Sequence, residues 1–158
     1  MSVLPDRELI KWGQMLGGVI PFEYENVNPA SIDLRIGKNI LDLRTGTEKE
    51  IEDHVVFEIV PGDAILATTV EYIKMPIDCC GVLYLKSSIA RSGLDHALAG
   101  FVDPGFEGEL TMELHSHRPV NLGAGQRIIQ LVLYRMELCP SKPYSGRYQY
   151  QVGPTQAR

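Results

Sequence analysis

Short apolar runs bounded by turn residues recur along nearly the whole chain, and they constrain the fold more than any other feature. Ile32-Asp33-Leu34-Arg35-Ile36 alternates apolar and polar residues. Val55 to Val60 is a β-rich run that closes on Pro61-Gly62-Asp63. Ala64 to Thr69 and Val70 to Met75 read as two further strands, with Pro76 as a stop. Val82-Leu83-Tyr84-Leu85 is an apolar strand, and Pro104-Gly105 is a turn. Leu110, Met112 and Leu114 alternate with Glu109, Thr111 and Glu113, and Gly123-Ala124-Gly125 turns the chain into the run Ile128 to Tyr134. Alternation with Gly and Pro punctuation is the signature of short strands. A helical pattern is confined to the start: Pro5, Asp6 and Glu8 suit a helix N-terminus, Leu9, Ile10 and Trp12 form an inner side, and Gly17-Gly18 ends it. The expected fold is therefore all-β, a barrel or sandwich with one short N-terminal helix.

The chain has 158 residues, the size of one domain, and residues 1–158 are expected to form one. From Cys139 onward the composition shifts to Pro, Ser, Tyr and Gln, so 140–158 is expected to be a C-terminal arm that orders on a partner or ligand. The net charge of −5 weighs against a general binder of nucleic acid, which needs a basic surface. No apolar run is long enough to span a membrane, and Asp6, Arg7, Glu8 and Lys11 leave no signal-peptide core in the first dozen residues. Three cysteines, two of them adjacent at Cys79 and Cys80, fit a reduced, cytoplasmic protein better than a disulfide framework. One of that pair is expected to face inward.

Several kinds of chemistry find little support. The chain lacks a C-x-x-C metal element, a G-x-S-x-G elbow, a Walker loop and a dinucleotide glycine fingerprint. His115 and His117 would share a face on a strand and could chelate, or could simply occupy a polar edge. Lys86-Ser87-Ser88-Ile89-Ala90-Arg91 is different. It places an ammonium, two hydroxyls and a guanidinium directly after an apolar strand. Those groups suit a phosphate-bearing ligand, although a capped helical turn with a solvated Arg91 would look the same. Asp103 precedes a Pro-Gly turn, where an aspartate is ordinary. Glu113 lies on one strand face with Glu109 and Thr111. Either that face is solvated, or Glu113 is a pocketed carboxylate with a raised pKa suited to proton transfer.

Taken together, these strings resemble the dCTP deaminase branch of the dCTP deaminase/dUTPase family. The resemblance rests on Leu4-Pro5-Asp6-Arg7-Glu8-Leu9, on Pro29-Ala30-Ser31-Ile32-Asp33-Leu34-Arg35-Ile36 and on Lys86 to Arg91. It continues in Ala99-Gly100-Phe101-Val102-Asp103-Pro104-Gly105-Phe106 and in Leu110 to Leu114. Gln126 to Leu131 and the tail Arg147-Tyr148-Gln149-Tyr150-Gln151-Val152-Gly153-Pro154-Thr155 complete it. The resemblance implies a dUTPase-like β-barrel (β-clip) that forms a homotrimer, with active sites where subunits meet. It implies hydrolytic deamination of dCTP at cytosine C4 without zinc, and Mg²⁺ bound through the nucleotide phosphates. By the family pattern Glu113 is the general acid–base, while Ser87, Arg91 and the chain around Ala99 position water and base. Lys86, Ser88, Arg147 and Gln151 join Arg91 at the triphosphate. Gln130, Tyr144, Thr111 and Met112 lie against the nucleotide, and Asp103 meets the ribose.

Ala99-Gly100-Phe101-Val102-Asp103 is similar to dual-function members that convert dCTP to dUMP, in which Asp103 would activate a second water at the α-phosphate. A pure dUTPase is disfavoured by an acid at position 113. Several spacers are short relative to the family, notably between Arg44 and Val55 and between Tyr144 and Arg147. Two other readings follow from the same scaffold: a non-catalytic nucleotide-binding regulator, or a deaminase that prefers a 5-modified dCTP. A purely structural β-sandwich is a third.

Overall fold

A computed structural model describes residues 1–97 and 99–157. The chain opens with β1 (Ser2–Val3) and α1 (Asp6–Ile10), the latter extended by a wide π turn over Lys11–Met15. Pro5 is the residue just before the helix rather than its first member. Leu9 and Trp12 face the core, and the Trp12 indole N–H donates to the Lys74 carbonyl at 2.9 Å. Gly17 stops the helix with φ +64°, a left-handed geometry that glycine adopts without penalty.

After β2 (Val19–Ile20) and β3 (Val27–Asn28), β4 (Ser31–Asp42) runs for 12 residues and organises the molecule. Its first half pairs with the last strand, through Leu34↔Ile129 and Ile32↔Leu131. Its second half pairs with β7 (Ile65–Lys74), through Ile40↔Ala67 and Asp42↔Ile65. A break in register separates the halves, between Ile36 and Ile40. Gly37 lies in that break, where an added Cβ would come within 3.0 Å of the Thr68 carbonyl oxygen. One strand thus serves both halves of a curled sheet, and Gly37 permits the close crossing.

The remaining elements are β5 (Thr47–Glu50), β6 (Val56–Ile59), β8 (Cys79–Leu85), α2 (Ser87–Arg91), β9 (Leu94–His96), β10 (Phe101–Val102), β11 (Glu107–Ser116), β12 (Val120–Gly123) and β13 (Arg127–Arg135). The main sheet runs β10-β8-β13-β4-β7-β11-β9, with β12 and β6 forming a separate antiparallel pair. Leu34, Ile36, Ile73, Met112, Leu114, Ile129, Leu131 and Leu133 fill the interior. The all-β expectation and the short N-terminal helix hold. Among the described residues no helix is long and apolar enough to cross a membrane.

Three details differ from the sequence expectation. The two strands read at 64–69 and 70–75 are one continuous β7. In the alternating segment 32–36 the polar Asp33 is as buried as its apolar neighbours, because Asn28 and Lys86 cover its carboxylate. Cys79 and Cys80 are both buried, not one in and one out.

A buried ion pair ties the sheet halves together. Glu71 on β7 is fully enclosed, and its carboxylate accepts from Arg35 N at 2.9 Å and Arg35 Nε at 2.6 Å. Arg35 Nη1 also reaches Glu23 at 2.7 Å. Burial pushes the Glu71 carboxyl up, against the downward pull of Arg35.

Candidate active site

Strand β11 sets the chemistry by strict alternation. Leu110, Met112 and Leu114 enter the core, while Glu109, Thr111, Glu113 and His115 take the opposite face. On that face Glu113 stands opposite Leu66 and Thr111 opposite Thr68 of β7. An open cavity of about 600 Å³ adjoins them. Its polar members are Asp103, Thr111, Glu113, Tyr144, Tyr148, Gln151 and Thr155, and Ala99 also lines it. Leu66, Leu83, Phe101 and Phe106 supply an apolar wall, a mixture suited to a planar ring carried on a polar framework.

Glu113 is electrostatically the most unusual group there. Its Oε2 is buried and has no hydrogen-bond partner, as is true of Thr111 Oγ1. Burial pushes the Glu113 carboxyl above the ordinary carboxylate range, opposed by its own backbone and by His115. A carboxyl that lines a cavity and keeps one oxygen buried without a partner is suited to exchange a proton with whatever enters. Asp103 lies at the Pro104-Gly105 turn, exposed on the cavity side, with its carbonyl accepting Phe106 N at 3.1 Å.

The C-terminal arm closes the cavity from one side. Tyr144 packs on Phe106, with ring centroids 5.8 Å apart, and Tyr144 N donates to Pro104 O at 2.9 Å. Further along, Tyr148, Gln151, Thr155 and Ala157 line the cavity. The arm therefore packs against its own chain.

The other expected site residues lie elsewhere. Lys86 precedes α2 and forms an ion pair with buried Asp33. Ser87, Ser88 and Arg91 are exposed on α2, and Arg118 braces that helix from its C-terminal end through the Ser92 and Arg91 carbonyls at 2.7 and 3.1 Å. Gln130 is flanked across the sheet by Tyr84 and Asp33. Arg147 is exposed. None of these belongs to the cavity wall. Met112 points into the core, so only its backbone adjoins the site face. The expected residues thus form two groups on one chain, a cavity with Glu113 and an outer surface with α2 and Gln130.

Sequence reading missed Leu66, Leu83, Phe101, Tyr148 and Thr155 as cavity residues. The two leucines, Leu66 and Leu83, read as ordinary core strand residues. Tyr148 and Thr155 stood in the tail motif but carried no assigned role. His115 Nδ1 lies 3.2 Å from the Asp63 carbonyl, while His117 is exposed near Asp95. Among the described residues no three His, Cys, Asp or Glu side chains gather as a metal site.

Comparison with known proteins places this arrangement. The family model for dCTP deaminase-like proteins matches residues 3–136. The chain belongs to the dCTP deaminase-like family. This family member is 39% identical to a protein of Aquifex aeolicus named "dCTP deaminase, dUMP-forming", over 96% of this chain and 90% of that protein. It is 39% identical to a Pyrococcus horikoshii protein named "dCTP deaminase", over 93% and 91% respectively. A Sulfolobus islandicus rod-shaped virus 1 protein named "Probable deoxyuridine 5'-triphosphate nucleotidohydrolase" is 38% identical, over 99% and 98%. In three dimensions the dCTP deaminase-like chain superposes on the 2'-deoxycytidine 5'-triphosphate deaminase of Agrobacterium tumefaciens with a TM-score of 0.72 at 19% identity. That match covers 83% of this chain and about half, 47%, of the solved one.

Proposed function

We propose that the protein is a hydrolytic dCTP deaminase that goes on to release diphosphate and yield dUMP, a precursor for thymidine nucleotides. The observation that carries the reading is Glu113, which keeps one carboxylate oxygen buried without a partner and lines a cavity that also presents Asp103. With cytosine against the apolar wall, Glu113 takes a proton from water as its oxygen bonds to C4. It passes that proton to N3, then takes the second proton from the new C4 hydroxyl and delivers it to the departing amine, so that the C4–N bond breaks and dCTP and water become dUTP and ammonia. One carboxyl can serve each transfer when its pKa is lifted toward working pH. Asp103 then activates a second water for attack on the α-phosphorus, with diphosphate as leaving group. In this reading the acid–base work falls to side chains rather than zinc. Mg²⁺ enters with the nucleotide as counter-ion of its phosphates, which needs no dedicated protein cage.

The reading includes assembly into a homotrimer. Ser87, Ser88, Arg91 and Gln130 lie outside the cavity of their own chain, so a second copy would supply them to the nucleotide. Support comes from the outer face of β8, β10 and β13, where Val82, Val132, Tyr84 and Phe101 form a partly exposed apolar row. Phe101 also belongs to the cavity wall, which joins that row to the site. Single chains with half-sites become active only when copies meet.

The test is product analysis with dCTP, dUTP and 5-methyl-dCTP side by side in the presence of Mg²⁺. Equal ammonia and dUMP from dCTP is the expected result. Accumulation of dUTP would remove the second step, and turnover of the methylated substrate alone would change the base preference. Consumption of dUTP with no attack on dCTP would favour a nucleotidohydrolase, the reading suggested by the viral relative's name. Nucleotide binding without turnover would leave a regulator and sink the enzyme.

A further inference from the structure

Glu109 and Glu113 occupy one face of β11, four residues apart, which is about 13 Å along a strand. Their surroundings are opposite. Glu113 lines the cavity and has a buried oxygen with no partner. Glu109 is bound by the C-terminal arm through its backbone N–H, its carbonyl and one carboxylate oxygen. Its backbone N–H donates to the Gln151 carbonyl at 3.0 Å, and its carbonyl accepts the Gln151 side-chain amide at 2.6 Å. Its carboxylate Oε2 accepts the Gly153 N–H at 2.8 Å. A parallel bridge between Gly108 and Gln151 extends the same contact.

The position of this clasp matters. Gln151 and Thr155 both line the cavity, and Gly153 stands midway between them. Gly153 has φ +77°, a conformation that brings its N–H to the Glu109 carboxylate and that a larger residue adopts only with strain. Backbone pairing alone would fix Gln151. The side-chain carboxylate is what fixes the next two residues, and with them the part of the arm that reaches Thr155 and Ala157 over the cavity. A charged acceptor strengthens a backbone N–H bond relative to a neutral one.

We infer that Glu109 is a positioning residue for the reaction: its carboxylate holds the arm closed over the nucleotide through Gly153, leaving Glu113 as the acid that does chemistry. The inference rests on the deaminase reading above, yet it is testable apart from it.

Three proteins are compared: wild type, Glu109→Ala and Glu109→Gln. Arm closure is read without nucleotide, as the rate of tryptic cleavage after exposed Arg147 and the hydrogen exchange of the Gly153 amide. Glu109→Ala should raise both about fivefold to tenfold, the factor expected for loss of one charge-assisted hydrogen bond on a partly exposed surface. Glu109→Gln keeps an acceptor oxygen and should fall between. With dCTP and Mg²⁺, KM should rise by the same factor in Glu109→Ala while kcat changes less than twofold, and Glu109→Gln should recover most of the loss. Gly153→Ala should reproduce the Glu109→Ala pattern with the carboxylate intact. Unchanged cleavage, exchange and KM in Glu109→Ala would overturn the clasp even in an active enzyme. A wild type that never turns over dCTP would overturn the deaminase reading and leave the cleavage and exchange results to judge the clasp alone.

Discussion

Replacing Glu113 by glutamine separates the proton from the shape. The amide fills the same space beside Leu66 but cannot carry a proton between water, ring and amine. General acid–base catalysis by one positioned side chain contributes about 10²–10⁴ in rate, so Glu113→Gln should lose at least a hundredfold in kcat for ammonia release, with nucleotide affinity changed only a few-fold. The same change should alter stability in a direction fixed by burial. The unfolded carboxyl titrates at about 4.3, and burial raises the folded value. A raised folded pKa means the group's favourable contribution is complete below the unfolded value and is lost as pH rises through the folded one. Glutamine has nothing to lose there. The variant should match wild type near the unfolded pKa and grow more stable relative to it as pH rises, levelling off above the folded pKa. An unsatisfied buried polar group costs about 1–3 kcal/mol, and the amide retains part of that cost. A net gain of about 1 kcal/mol is therefore expected, or about 2–4 °C in Tm for a domain of this size. Ammonia release and thermal unfolding across pH, at one fixed protein concentration, measure both. A variant within tenfold of wild-type turnover, or one that becomes relatively less stable as pH rises, would refute the assignment of Glu113.

Mixing two inactive variants, Glu113→Gln and Ser87→Ala, should restore a measurable fraction of activity as hybrid assemblies form, because an interface can then carry an intact copy of each half-site; absence of any recovery after co-refolding would place the whole site on one chain. Native protein should expose one rapidly titrating thiol, Cys139, since Cys79 and Cys80 are buried and burial pushes the Cys79 thiol up to about 12, and all three should react in denaturant; a second fast thiol in the native state contradicts the packing of β8. Glu71→Ala should destabilise by about 3–5 kcal/mol by stranding the Arg35 charge, seen as a lowered denaturation midpoint with little change in slope; a loss below about 1 kcal/mol would mean that Arg35 finds a new partner.

Much of this was legible in the sequence, and what was not has identifiable causes. The β11 face could be read because its alternation is unbroken from Glu109 to Glu113. Whether that face met solvent or a cavity could not, because the answer depends on β10 and the arm. The arm docks largely through backbone groups at Tyr144, Gln151 and Gly153, and backbone bonds leave little trace in side-chain pattern. The single strand β7 was split because Thr69-Val70-Glu71 breaks the alternation. Thr69 Oγ1 spans that irregularity, donating to Glu71 O at 2.7 Å and accepting Leu110 N at 3.0 Å, so pairing continues through it. Asp33 and Glu71 are both buried carboxylates. Their burial is compensated by Lys86 and Arg35, which lie far away in sequence and are only brought near by the fold.

The distribution of charge gives the two-part site a physical reason. A chain with net charge −5 must gather cations locally to hold a polyanionic nucleotide. The described cavity wall carries Asp103 and Glu113 but no lysine or arginine. Lys86 is already matched by Asp33 within its own chain, so of the Lys86–Arg91 segment it is Arg91, exposed on α2, that faces outward with its charge. A nucleotide with its base beside Glu113 would therefore present phosphates to a wall whose described residues include no lysine or arginine, unless another copy brought its α2 surface to the cavity mouth. In the proposed assembly, association does more than bury Val82 and Phe101, because it moves the cation to where the phosphate charge lies. Salt screens such contacts over roughly 8 Å at physiological strength, so KM for the nucleotide should climb with ionic strength well before the proton transfer at half-buried Glu113 is affected.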